Sequence, residues 1–308
     1  MLLNARNVTA LFIALKTTFN NAFDATPAEW SQVATLVPST TRENDYSWLD
    51  RFPRLREWVG DKVVRSLALH DYTLRNRKFA ATIEVDRDDI EDDQLGIYAP
   101  QAQDAGFSAK QWPDELVFEA LNQAFKATCY DGLPFISDKH PNGTDKDGKE
   151  LLVSNKGTAK LSAESQEKAR TAYGKARTAL RNMKDPEGRP LNVRPNLLVV
   201  PPALEDVANA LMTADRLDDG KVNLYKGTAK VLVVPWLTDD DAWFLMDTTR
   251  SVKPLIFQQR KKPVFVSQQD MNNPDVFMRG MLKFGVEARG AAGFGLWQMI
   301  FGSTGKGA

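Results

Sequence analysis

The chain holds one cysteine and two histidines. Cys129 and His140 lie eleven residues apart, with Asp131 and Asp138 close by. A thiol hydrolase needs a thiolate, a base that takes its proton and a group that orients the base. All three residue types stand between 129 and 140, but neither a nucleophile elbow nor a cysteine-protease signature surrounds them. A buried structural cysteine beside a loop histidine fits the same pattern. Asp138 and His140 could share one metal ion, with Asp145 and Asp147 nearby. Only His70 remains to add a second imidazole. The expectation is no metal and no cofactor.

Three further constellations weaken on inspection. Gly302-Ser303-Thr304-Gly305-Lys306 resembles part of a phosphate-binding Walker A loop. The full pattern needs glycine at position 300, where Ile300 stands, and Ser or Thr after Lys306, where Gly307 stands. It also needs a following helix, so a flexible tail is expected instead. The acidic run 86–93 lacks the glycine of an EF-hand loop; carboxylates opening a helix are favoured there by the helix dipole. Acidic residues are plentiful, yet no spacing selects an acid/base pair. The search returns no specific catalytic site, and the chain is expected not to be an enzyme.

The 308 residues are 43% hydrophobic and 26% charged, near the globular average, which excludes a disordered, collagen-like or disulfide-framework chain. At about 150 residues per domain, roughly two domains are expected. Forty Lys+Arg balance forty Asp+Glu. That balance argues against a protein that coats nucleic acid through a basic excess. It also removes long-range self-repulsion and so permits self-association. One cysteine allows no internal disulfide and suits a reducing cytoplasm. No apolar run of about 18 residues exists, so no membrane span is expected.

The elements that would position these residues follow from periodicity. Leu11, Leu15 and Phe19 sit four apart, which predicts an amphipathic helix over 1–24. From Pro27 to Pro53 the chain reads as irregular and extended. Residues 60–85 read as a long hairpin turning at His70-Asp71, with Phe79, Ala81, Ile83 and Val85 alternating on the return. Asp86 and Asp88 are helix-capping residues. The stretch 88–128 reads as one long helical element, broken or kinked at Pro100 and Pro113. Residues 129–161 read as mostly loop. Ser162 is expected to cap a helix with Ala169, Ala172, Tyr173, Ala176 and Leu180 on one face. Short strands are expected at 196–200, 231–234, 243–246 and 255–257, and a helix over 204–212. Alternation from Met278 to Ala288 predicts a further strand, and 290–308 is rich in glycine. Composition and periodicity alone stop at an α+β protein with extended arms.

Several dispersed motifs go further. They are Val37-Pro38-Ser39-Thr40-Thr41-Arg42, Tyr46-Ser47-Trp48-Leu49, Phe52-Pro53-Arg54-Leu55-Arg56-Glu57-Trp58, Gly96-Ile97-Tyr98-Ala99-Pro100, Cys129-Tyr130-Asp131-Gly132, Asp138 with His140-Pro141, and Leu197-Leu198-Val199-Val200-Pro201-Pro202. In this order they resemble the major head subunit of Mu-like phages and prophages across almost the whole chain. The resemblance implies the Hong Kong 97-type capsid fold: an N-terminal arm (1–58), an extended E-loop hairpin (59–85), a peripheral domain with a long spine helix (86–149), an axial domain (150–258), and a return to the peripheral domain with a C-terminal tail (259–308). It implies a shell protein of the phage head that assembles with itself into hexamers and pentamers. Its implied partners are scaffold/protease and portal proteins, and packaged double-stranded DNA held without sequence specificity.

An E-loop laid over a neighbour would bury Val63, Leu67, Leu74 and Ile83, at about 25 cal/mol per Å² of apolar surface. Lys62, Arg65, Arg75, Arg77 and Lys78 would meet acidic surface on that neighbour, with residues 86–93 as the candidate. Two alternatives remain: a cargo-enclosing compartment shell of the same fold, and a thiol hydrolase using Cys129 and His140.

Overall fold

The computed structural model describes residues 5–46, 49, 72–92, 95–144, 147–162, 165–216, 220–268, 270 and 273–307. In chain order the elements are α1 (Ala5–Ala25), α2 (Trp30–Val33), β1 (Ala34–Pro38), β2 (Glu43–Asp45), β3 (Thr73–Arg75), β4 (Arg77–Asp86), α3 (Arg87–Glu91), α4 (Tyr98–Asn122), β5 (His140–Thr144), β6 (Glu150–Val153) and β7 (Lys156–Ala159). Then come α5 (Gln166–Arg181), β8 (Leu197–Val200), α6 (Glu205–Thr213), β9 (Lys230–Val233), β10 (Trp243–Met246), β11 (Leu255–Gln268), α7 (Pro274–Arg279), β12 (Met281–Phe294) and β13 (Ile300–Gly307).

Two sheets organise the chain. The first has the order β1-β11-β12-β4. Its long strands β11 and β12 are antiparallel, and β4 pairs antiparallel with β12 from Arg77↔Gly290 to Asp86↔Met281. The alternation read at 79–85 and at 278–288 is one strand pair from Met281 onward, whereas Met278 and Arg279 end α7, and the two strands lie about 200 residues apart in the chain. At Gly285 a Cβ would lie 2.0 Å from the Ala81 carbonyl oxygen, so only glycine lets the strands meet there.

Helix α4 crosses this sheet. Trp112 packs edge-on against Phe257 at 5.4 Å and, tilted, against Phe79 at 5.3 Å. Helix α1 buries Val8, Leu11, Phe12, Leu15 and Phe19. Val8, Leu11, Phe12 and Leu15 join Val85, Ile90, Leu282 and Phe284 in one core cluster. Gly106 allows α1 and α4 to approach closely: a Cβ there would lie 2.4 Å from the Phe19 carbonyl oxygen.

The second sheet has the order β7-β13-β10-β8-β9. Every residue of β8 and β10 is buried. Strand β8, helix α6 and the parallel strand β9 form a crossover unit. Helix α5 turns its Ala169, Ala172, Tyr173, Ala176 and Leu180 face inward.

Several expectations change. Strand β3 pairs with β2 and β4 pairs with β12, so residues 73–86 are not the return arm of one hairpin. The outward half of that hairpin lies outside the described residues. The helix over 88–128 is two: α3 ends at Glu91, and α4 runs unbroken through Pro113 to Asn122. Pro100 does not interrupt α4, because it sits in the first turn, where its missing N–H has no partner to lose. Ser165, not Ser162, caps α5, its side chain accepting from the Lys168 N–H. Residues 129–161, read as loop, hold β5, β6 and β7. Residues 300–307 are not a tail. They form β13, antiparallel to β10 and parallel to β7, in the same sheet as β8 and β9. Residues held as a strand between two others do not form the loop with which a Walker A motif cradles phosphate.

Candidate functional site

Two places bear on function: the point where the segment between Leu49 and Tyr72 joins the body, and the Cys129 cluster. The first is clamped by a buried polar network. The Tyr46 N–H donates to the Tyr72 carbonyl at 2.8 Å, so both ends of the intervening segment are tied together. Gln258, fully buried on β11, accepts from the Tyr46 hydroxyl at 2.8 Å. Its amide donates to the Leu74 carbonyl at 3.0 Å and to Asn76 Oδ1 at 2.8 Å. Asn76 in turn donates to Ser39 Oγ at 2.9 Å and to the Thr41 carbonyl at 3.0 Å. Burial pushes the Tyr46 phenol up to about 12, and it remains a donor. Nothing in local sequence pattern singles out Gln258 or Asn76, whose partners are distant in the chain.

The proposed E-loop contacts divide around this clamp. Lys62, Val63, Arg65 and Leu67 lie outside the described residues. Leu74 packs on the main core and Ile83 on the α1 cluster, so both bury apolar surface within their own chain. Arg77 is exposed and pairs with Glu119 at 2.9 Å. Arg75 and Lys78 are exposed and border one hollow with Arg42, Arg260 and Arg289.

Helix α2 is anchored by a second buried acceptor. Asp114, in the interior of α4, accepts from the Glu29 N–H at 2.9 Å and the Trp30 N–H at 2.6 Å. Burial pushes its carboxyl up, opposed by these two hydrogen bonds.

The cysteine cluster does assemble, but without Asp138, which is exposed. Asp131 Oδ1 accepts from the Cys129 thiol at 3.1 Å and from the Leu133 N–H at 3.0 Å. Its Oδ2 stands 2.6 Å from His140 Nδ1. The His140 ring is fully buried and stacks on Trp297, centroids 4.0 Å apart and planes 4° apart.

The chemistry is that of a clasp. Burial and the Asp131 charge push the Cys129 thiol far up, the reverse of what a nucleophile needs. Burial is the largest influence and raises the Asp131 carboxyl, but the His140 hydrogen bond and charge together with the hydrogen bonds from Cys129 and Leu133 outweigh it and hold the carboxyl below its ordinary value. Cys129, Asp131 and His140 place their polar atoms within 4.8 Å of one another. Yet two ligands of one tetrahedral zinc stand about 3.4 Å apart, whereas Asp131 Oδ2 and His140 Nδ1 stand 2.6 Å apart, the distance of a hydrogen bond. In this arrangement the cluster holds the 129–140 loop against Trp297.

Comparison with known proteins decides the family. Residues 8–165, 160–237 and 238–306 match the family described as Mu-like prophage major head subunit gpT. The chain belongs to the Mu-like major head subunit family. It is 30% identical to the Mu-like prophage FluMu major head subunit of Haemophilus influenzae, over 97% of this chain and 73% of that protein. It is 29% identical to the major capsid protein of Escherichia phage Mu, over 97% of this chain and 74% of that one. In structure it is similar to the procapsid of bacteriophage JBD30, with a TM-score of 0.62 at 30% identity, covering 98% of this chain and 76% of that one.

As a major head subunit it has the Hong Kong 97-like capsid fold, serves as the structural protein of a phage head and is a component of the virion. Self-association is part of that role. No described helix is long and apolar enough to cross a membrane.

Proposed function

We propose that copies of this chain close into hexameric and pentameric rings that tile an icosahedral head around double-stranded DNA, without catalysis of their own. The clamp at Gln258 carries this reading. It ties the two ends of the segment between Leu49 and Tyr72 to β11, an inner strand of the first sheet, which suits a loop offered to a neighbour from a firm base. Lys62, Val63, Arg65 and Leu67 of that segment, with Arg75 and Lys78 at its base, are its contacts to the next subunit. Heterologous contacts of this kind generate closed rings.

The first sheet with α1 and α4 corresponds to the peripheral domain. The second sheet with α5 and α6 corresponds to the axial domain, which then includes β13. Scaffold/protease and portal proteins complete the head. DNA lies against the shell without sequence readout, as the balanced charge suits.

Size-exclusion chromatography with light scattering, followed by negative-stain microscopy of each peak, tests this. Pentamers, hexamers, tubes or shells are expected, and particles made in cells should contain DNA. A chain that stays monomeric with its scaffold present refutes the reading, and particles filled with a protein cargo point to a compartment shell.

A further inference from the structure

The hollow beside the clamp has about 500 Å³ of space. Arg42, Arg75, Lys78, Arg260 and Arg289 converge on it, with Thr40, Thr41 and Asn76 completing its wall. No carboxylate lines it among the described residues. Glu287, whose carboxyl feels the Lys78 charge, is held by Lys261 at 2.7 Å. The Arg289 Nε is buried without a hydrogen-bond partner. Cations gathered this closely repel one another unless an anion joins them.

The chain as a whole is neutral, so carboxylates must stand unpaired elsewhere. Asp88 and Asp92, at the acidic turn around α3, are exposed and have no ion-pair partner among the described residues. Hollow and turn sit at opposite ends of one strand. Lys78 faces Arg289 at one end of the β4–β12 pair, and Asp86 faces Met281 at the other. Eight residues of strand separate them by about 27 Å, well beyond a Debye length of about 8 Å. The two ends cannot neutralise each other within one chain. Two chains set head to tail bring them together.

We propose that this hollow receives the acidic turn of a second copy, Asp88 and Asp92 entering among Arg42, Arg75, Arg260 and Arg289. The contact is heterologous, the kind that propagates around a ring. It rests on the shell reading above and names a docking site that the reading leaves open.

Charge reversal tests it. The full chain is prepared unaltered, as Arg75→Glu/Arg260→Glu, as Asp88→Lys/Asp92→Lys, and with all four changes. Assembly is followed by sedimentation over a concentration series, with circular dichroism and melting as checks of folding. Either reversal alone should raise the concentration needed for assembly by at least about tenfold, since reversing two of the five cations strips the hollow of most of its positive charge and reversing both aspartates sets cation against cation. The fourfold variant should recover part of that loss, because each introduced carboxylate then faces an introduced ammonium while Arg42, Lys78 and Arg289 stay in place. So should hexamers in an equimolar mixture of the two reversal variants, because copies that alternate around an even-membered ring present matched charges at every contact, whereas a pentamer cannot alternate throughout. A neutral Arg75→Gln/Arg260→Gln variant should show a weaker defect in the same direction, guarding against misfolding of the reversed chains.

Reversal variants that assemble like the unaltered chain overturn the proposal. So do folded variants that neither the mixture nor the fourfold change rescues. Loss of the subunit's own thermal stability with assembly untouched assigns the hollow to its own chain. Loss of inorganic phosphate binding with assembly untouched assigns it to a phosphate-type anion. If the unaltered chain forms no ring or shell with its scaffold, the shell reading itself fails and takes this contact with it.

Discussion

Replacing His140 with alanine should destabilise the subunit without touching any chemistry. The substitution removes the hydrogen bond to Asp131 at 2.6 Å, a bond to a charged group worth about 1.5–3 kcal/mol. It also removes the stack on Trp297, worth about 0.5–1.5 kcal/mol beyond area burial. The expected loss is about 3 kcal/mol. For 308 residues, an unfolding entropy of about 2.1 cal/mol/K per residue gives roughly 0.65 kcal/mol/K, so the midpoint should fall by about 5 °C. Urea and thermal unfolding of the unassembled subunit read the change. Cys129→Ala removes only the weak thiol donor and should cost about 1 kcal/mol. In the native unaltered chain Cys129 should resist a thiol reagent at neutral pH and react once urea is added, because its thiol is buried and its ionisation opposed. A loss below about 1 kcal/mol for His140→Ala, together with a native Cys129 that reacts as fast as in urea, would refute the clasp and reopen the thiol chemistry.

Asp131 predicts a pH dependence. Its folded carboxyl lies below the ordinary 3.8, so its stabilisation is complete above 3.8 and is lost as pH falls through the folded value. The stability gap between the unaltered chain and Asp131→Asn should therefore close in acid, as read by melting across pH. Gly285→Ala drives a Cβ into the Ala81 carbonyl, and should cost about 3 kcal/mol while speeding amide exchange in β4 over β8. Asp114→Ala removes the shared acceptor of the Glu29 and Trp30 N–H groups and should cost about 2 kcal/mol, with faster exchange at those two amides. Gln258→Ala strips partners from Tyr46, Leu74 and Asn76, and should cost about 3 kcal/mol and hasten proteolysis between Leu49 and Tyr72. Unchanged proteolysis there would separate the clamp from the loop it is argued to hold.

What the chain sequence determines by itself is local. The apolar faces of α1, α5 and α6 are legible because side chains three and four apart share a helix face whatever the helix packs on. The fully buried β8 reads as a short apolar run because both faces of the strand are covered. Alternation marks β4 and β12, since period two belongs to any half-buried strand. The dispersed motifs carry the family, and with it the shell role.

Only the tertiary structure decides what lies opposite what. Alternation at 79–85 is blind to its partner, so a local hairpin and a pairing with residues 281–290 look alike in sequence. Glycines at 302, 305 and 307 read as a tail until β10 and β7 are seen flanking them. Cys129 and His140 suggest a nucleophile and its base until Asp131 is found between them, taking the hydrogen bond from each. Arg42, Arg75, Lys78, Arg260 and Arg289 come from five elements or connections, and their convergence has no trace in spacing. The physical reason is one and the same. Periodicity records the geometry of a segment against its own axis, whereas pairing, clasping and charge convergence depend on residues that chain folding alone brings within reach.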